Sequence, residues 1–318
     1  MLSLVILLLV LGLISLFVGV NEISPLDMLK WENKEYHLMA VSRLPRTMAL
    51  IITGVGISIS GLVMQQMTQN KFVSPTTAGT LDAAELGILG ALVLFPQEGT
   101  LVKVGIALIT TFLSSLAFIK IADGIRYKSV VFVPIVGLLF GGVINSITTF
   151  FAFQLNIVQD VGAGQDSIGA WMMGDFSGIL QGNYESIYLC LPVIILTYIY
   201  ANKFTVLGMG ENFSKNLGLN YRNVLNMGLF CVALTVSSIV VTVGAIPFLG
   251  LVIPNLISLI KGDNLKTTLP YTAIFGACFL LISDILGRLI IFPFEIPIGM
   301  MVGLIGGILF LILLLKKR

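Results

Sequence analysis

Long apolar runs broken by short polar stretches fill this chain from end to end. A bilayer core about 30 Å thick takes roughly 20 helical residues to cross. The pattern therefore predicts an all-α integral membrane protein of about ten transmembrane helices. The spans read as Leu2–Val20, Met48–Gln65, a shorter Asp82–Phe95, Leu101–Ile121 and Val130–Phe153 in the first half. In the second half they are Tyr184–Tyr200, Asn223–Val243, a run broken by Pro247 and Pro254 that ends near Lys261, Leu269–Ile291 and Ile298–Leu315. Leu2–Val20 lacks a basic start and a small-residue cleavage site, so it reads as a span rather than a removed signal peptide. Small residues recur three or four apart in several spans, as in Gly54, Ser58 and Gly61, in Gly137 and Gly141, and in Gly299, Gly303 and Gly307. Such faces let neighbouring helices approach closely.

The polar stretches carry the candidate chemistry. Val206–Arg222 is the longest mixed run in the second half. Gly208, Gly210 and Gly218 divide it, and Glu211 to Leu217 can form about two helical turns. Phe213, Leu217 and Leu219 form a small apolar set among Glu211, Asn212 and Lys215. The pattern fits a short docking helix at the membrane face; a solvated connector is the plainer alternative. Asn21–Ser42 reads as a loop leading to Arg43-Leu-Pro-Arg46 just before span two. There the arginines either grip a partner's carboxylates or snorkel to anchor the span. Asp82-x-x-Glu85 stands at the start of span three, either as a helix cap or as a functional pair in the membrane. Asp284 and Arg288 are four apart on one face of span nine and can pair. Gln154–Gly182 is long and mixed, and holds Trp171-Met-Met-Gly-Asp-Phe-Ser-Gly178. That piece is too short to span, so it reads as re-entrant or interfacial.

Composition agrees with the pattern. Hydrophobic residues make up 57%, charged residues 11%, and the mean hydropathy is +1.01. Soluble domains carry about 25% charged residues, so no soluble domain is expected, and residues 1–318 read as one membrane domain. A net charge of +2 gives no electrostatic case for nucleic acid. Cys190, Cys231 and Cys278 are far apart in apolar runs and read as small buried hydrophobes. With one histidine, His37, there is no histidine-based metal site. No Walker A motif is present, so the chain does not bind ATP by that route. Ten spans place both termini on one side. If that side is cytoplasmic, it holds twelve Lys and Arg residues against six outside, among them Arg43, Arg46 and Arg288. The bias supports cytoplasmic termini.

Several runs together resemble the FecCD family, the permease subunits of ABC importers for iron-siderophores, haem and cobalamin. They are Arg43-Leu-Pro-Arg46, Gly61-Leu-Val-Met-Gln65, Asn70-Lys-Phe-Val-Ser-Pro75, Trp171-Met-Met-Gly174 and Gly210-Glu-Asn-Phe-Ser-Lys-Asn-Leu-Gly218. Phe248-Leu-Gly-Leu-Val-Ile-Pro-Asn255, Leu281-Ile-Ser-Asp-Ile-Leu-Gly-Arg288 and Glu295-Ile-Pro-Ile-Gly299 complete the set, in family order over nearly the whole chain. Asn70–Gly79 is similar to Gram-positive permeases for catecholate siderophores such as petrobactin. Two departures stand out: Asp82 and Glu85 replace small residues, and Asn255 replaces a frequent histidine.

The resemblance implies a type II ABC importer permease fold of ten helices in the cell membrane. It implies a second permease subunit (identical or a paralogue), two cytoplasmic ATPases, an external substrate-binding lipoprotein and a ferric siderophore as substrate. No enzyme activity and no cofactor are implied. It assigns ATPase coupling to Gly210, Glu211, Asn212, Phe213, Lys215, Leu217 and Gly218. It assigns binding-protein docking to Arg43, Arg46 and Arg288, and the translocation path to Trp171, Met172, Met173, Gly174, Asp175, Gly299, Gly303 and Gly307. An ion-gradient transporter is the rival from another class; it needs ionisable groups within the spans, and Asp82, Glu85, Asp284 and Arg288 lie near span ends.

Overall fold

The computed structural model describes residues 1–19, 37–125, 132–155 and 174–316. Helices and connecting turns make up these residues, with no strand among them. In order they are α1 (Leu2–Phe17), a π-helical turn (Met39–Arg43), α2 (Leu44–Thr68), α3 (Thr80–Leu94), α4 (Thr100–Ile125) and α5 (Phe132–Gln154). After a 3-10 turn (Glu185–Leu189) come α6 (Cys190–Ile199), α7 (Ala201–Leu207), α8 (Glu211–Asn216), α9 (Tyr221–Val243), α10 (Leu249–Lys261), α11 (Leu265–Ile290) and α12 (Ile298–Lys316). Five helical stretches are long and apolar enough to cross a membrane, and a sixth forms if the bent pair Glu185–Ile199 and Ala201–Leu207 counts as one span. Helices α1, α10 and α12 are apolar but shorter.

The centre of the bundle is α2. Its apolar window is 83% buried, against 22% for that of α5. Small residues bring the neighbours in. A Cβ on Gly54 would lie 2.6 Å from the Ala277 Cα of α11. One on Gly61 would fall on the Gly250 carbonyl oxygen of α10, and one on Gly276 would strike Ser58 Oγ. Lipid tails are as apolar as the spans, so close packing rather than the hydrophobic effect holds such crossings. On α5, a Cβ at Gly137 would fall on the Thr77 carbonyl oxygen and one at Gly141 would lie 2.6 Å from Asp82 Oδ2. The small faces expected in spans two and five therefore both receive a neighbour.

Three boundaries differ from the sequence reading. Arg43-Leu-Pro-Arg46 is helical rather than the end of a loop, since the π turn runs straight into α2. Pro45 therefore lies inside a continuous helix, where its missing N–H leaves a carbonyl of the preceding turn without its helical donor; in that turn the Val41 carbonyl accepts from Gln181 N at 2.9 Å instead. Helix α3 starts at Thr80 behind Gly79, which holds a left-handed φ of 71°, so Asp82 does not cap it. Asp82 lies in the first turn, whereas Glu85 is a turn further in and 8% exposed, with no hydrogen-bond partner found for Oε2. The capping box fails because the helix begins three residues before the start that a cap at Asp82 requires. Span six continues past Tyr200 into α7 with a bend of 64°.

Candidate functional site

The sequence-predicted residues gather at three places. At one end of the bundle, Arg46 of α2 meets Asp284 of α11 and Glu295 of the turn before α12. Its Nε and Nη2 donate to Asp284 Oδ1 at 3.2 and 2.7 Å, and Nη1 donates to Glu295 Oε2 at 2.7 Å. Arg288 pairs with Asp284 one helical turn away, as the spacing predicts. Arg288 also donates from Nη1 to the Ser15 and Val18 carbonyls at 3.1 and 2.6 Å, and from Nη2 to Ser15 Oγ at 2.8 Å. Arg43 Nη1 donates to the same Val18 carbonyl. Val18 caps the C-terminus of α1, so two arginines satisfy carbonyls that the helix leaves open, where the dipole favours cations.

Burial sets how much of this network is open to a partner. Arg43 is 9% exposed and Arg288 3%. The side chains of Arg46 and Asp284 are 12% and 1% exposed. Glu295, at 26%, is the more open end of the network. Arg46 reaches both Asp284 and Glu295, and Arg288 pairs with Asp284. The roles of Ser15 and Glu295 were missed. The signal for Glu295 was a carboxylate held between Pro293 and Pro297, which fix its backbone.

At a second place lies α8, set between Gly210 at φ 105° and Gly218 at φ 76°. Those left-handed values require glycine or strain another residue. Gly218 N donates to the Lys215 carbonyl at 2.9 Å, and Leu219 N to the Ser214 carbonyl at 2.9 Å. This is a Schellman C-terminus. Ser214 is buried and its Oγ donates to the Val206 or Gly210 carbonyl, at 2.9 and 2.7 Å, pinning the helix to α7. Lys215 and Glu211 pair across one turn at 2.8 Å. Outward stand Met209, Phe213 and Leu217, 58%, 49% and 60% exposed. Behind them, a Cβ on Gly208 would strike Gln66 Oε1, and one on Gly210 would lie 3.1 Å from Gln69 Nε2. The segment thus leans on the end of α2.

The third place joins two predicted path segments. Trp171, Met172 and Met173 lie outside the described residues. Gly174 holds φ 61°, and its carbonyl accepts from Gly299 N at 3.2 Å. Asp175 N donates to the Val243 carbonyl at 2.9 Å, and the Asp175 carboxylate accepts from Ser177 N at 2.8 Å and Oγ at 2.5 Å. A Cβ on Gly174 would lie 2.5 Å from the Ala245 carbonyl. This strap ties the end of α9 to the start of α12. Further along α12 the close-packing expectation fails inside the chain. A Cβ on Gly303 would meet Pro247 Cγ at an ordinary 3.7 Å, and one on Gly307 would meet nothing within 4 Å. Gly306 is the tight position, 2.9 Å from Phe248 Cβ. The helix is rotated so that Gly306 meets the start of α10, leaving Gly303 and Gly307 with room.

Residues 7–316 match the profile of the FecCD transport family. The chain is 48% identical over 313 residues to the petrobactin import system permease protein YclN of Bacillus subtilis (strain 168), covering 98% of this chain and 97% of that one. It is 44% identical over 302 residues to the ferric-anguibactin transport system permease protein FatD of Vibrio anguillarum (strain ATCC 68554 / 775), covering 95% and 94%. Among solved structures, an inward-facing ABC transporter of metal-chelate type superposes with a TM-score of 0.78 over 99% of this chain and 97% of its own, at 24% identity. That likeness gives the fold, and the near full-length sequence matches give the lineage: this chain belongs to the FecCD transport family.

Proposed function

We propose that this chain is the permease subunit of an ABC importer that carries a ferric siderophore, of catecholate type, into the cytoplasm. The observation that carries the reading is near full-length similarity, at 48% and 44% identity, to permeases named for petrobactin and ferric-anguibactin. Residues 1–318 act as one membrane domain of ten spans with cytoplasmic termini. Helices α1, α3, α10 and α12 and the bent α6–α7 unit add to the four unbroken long spans and the span that starts at the π turn. A second permease, identical or a paralogue, completes the pore.

Roles follow from position. Segment Gly210–Gly218 receives the ATPase, because Phe213 and Leu217 stand exposed on a glycine-bounded helix, with Met209 exposed just ahead of it. A motion there has a direct path into α2 through Gln66 and Gln69. The cluster of Arg43, Arg46 and Arg288 receives the binding lipoprotein, supported by the gathering of all three guanidiniums at one end of the bundle beside the half-open Glu295. The Gly174–Asp175 strap and the open Gly303/Gly307 face of α12 border the path.

The test is uptake of radioactive iron as catecholate, citrate and haem complexes, alongside labelled cobalamin, in cells lacking this gene. Loss confined to the catecholate, restored by the gene, is the expected result. Loss confined to cobalamin or haem would replace the substrate while keeping the permease role. Uptake that persists without the ATPase would favour an ion-gradient transporter.

A further inference from the structure

The 64° bend between α6 and α7 opens a wedge against the first turns of α9. The resulting groove has a volume of about 760 Å³, within the size range of sites for whole organic ligands. Its lining is graded. Near α8 stand Lys203, Asn220 and Asn223; further along stand Asn226, Met227, Phe230 and Leu196. No carboxylate lines it among the described residues. Lys203 Nζ lies 4.3 Å from the centroid of the Tyr200 ring, which holds the ammonium at the mouth by a cation–π contact. Asn223, Asn226 and Phe230 are three and four apart and share the exposed flank of α9. Asn226 sits about 7.5 Å into that helix by its rise per residue. An amide this deep in a span is costly unless something accepts its protons. Phe230, 42% exposed, lies about 6 Å deeper.

We propose that this groove is a binding site for one anionic phospholipid. The headgroup phosphate lies against Lys203, the ester oxygens accept from Asn223 and Asn226, and an acyl chain follows Met227 and Phe230. A free anion would leave the apolar half unused, and a zwitterionic lipid would carry an ammonium to Lys203. Assigning it to the inner leaflet rests on the topology proposed above; the site itself does not. Its place beside Gly218 and Leu219 puts the lipid against the base of α8.

The experiment is native mass spectrometry of the full importer complex released from nanodiscs of equal phosphatidylglycerol and phosphatidylcholine. The expected result is one retained phosphatidylglycerol per copy of this chain. Lys203→Gln should cut that preference by roughly fivefold, the usual weight of one lysine at an anionic surface. Lys203→Arg should restore it, and recovery of each variant in the intact complex at native yield checks that it folds. Phe230→Asn should lower retention of both lipids. Equal retention of the two lipids by the native protein, or an unchanged preference in Lys203→Gln, would overturn the proposal. So would full displacement by soluble glycerophosphate, which would leave only a surface anion site. None of these readouts depends on transport, so failure here would leave the importer reading standing.

Discussion

Asp284 is the residue on which the arginine cluster turns. It is 1% exposed at the side chain and faces both Arg46 and Arg288. Removing one partner of a buried pair strands the other charges and costs about 3–5 kcal/mol. Asp284→Ala should therefore lower the thermal unfolding temperature of the detergent-purified protein sharply, and Asp284→Asn less so, since an amide oxygen still accepts from Arg46. An Ala variant as stable as the native chain would show that water reaches the site. Half of this cluster was legible beforehand. Asp284 and Arg288 are one helical turn apart, so spacing alone pairs them. Arg46 lies 238 residues from Asp284, and Ser15 lies 273 from Arg288. Contacts at that separation come from helix packing, which no local pattern encodes.

Among elements, α2 shows why glycine spacing was a good guide and α12 shows where it stops. At Gly61 the neighbour is backbone, the Gly250 carbonyl, and cannot swing aside. At Gly303 the nearest atom to an added Cβ is Pro247 Cγ at 3.7 Å. Gly61→Ala should lower the yield of folded protein, whereas Gly303→Ala should leave stability equal to native or raise it by up to about 1 kcal/mol, since it creates no clash and Ala is the better helix former. Equal stability of the two variants would mean that the α2–α10 crossing is looser than its geometry. Both faces repeat small residues three or four apart, yet the repeat fixes only which side is smooth. Which side meets a partner depends on helix rotation. Helix α8 was legible for a different reason: its glycines, its amphipathic step and its Glu211–Lys215 spacing are all local. If the exposed Phe213 and Leu217 dock the ATPase, replacing both by Ser should dissociate it while the permease still inserts. Co-purification of the ATPase at native yield would remove that role from α8.

Across the whole molecule, the arginine cluster lies at one end and α8 at the other in the proposed topology, and α2 runs between them. Arg46 stands in its first turn and Gln66 in its last. The chain as a whole carries only +2, so any steering of a partner must come from local imbalance. At the arginine end, Arg46 and Glu295 are charged side chains of the network that reach the surface, 12% and 26% exposed. If an acidic binding lipoprotein lands there, the sign of each substitution is fixed. Glu295→Gln removes a negative charge that is 26% exposed. It should speed association of the lipoprotein, because rim charges act mainly on the on-rate. Arg46→Gln removes a positive charge and should slow it. Both effects should fade as salt shortens the Debye length from about 10 Å at 0.1 M to about 3 Å at 1 M. A purely structural cluster predicts otherwise: each change would weaken the network, and neither would alter the on-rate in a salt-dependent way. Stopped-flow binding of the purified lipoprotein to the importer in nanodiscs, across a salt series, separates the two. Faster binding by Glu295→Gln at low salt supports docking. Equal or slower binding by both variants, with a flat salt dependence, leaves the arginines as the fastening of α1 and α11 to α2.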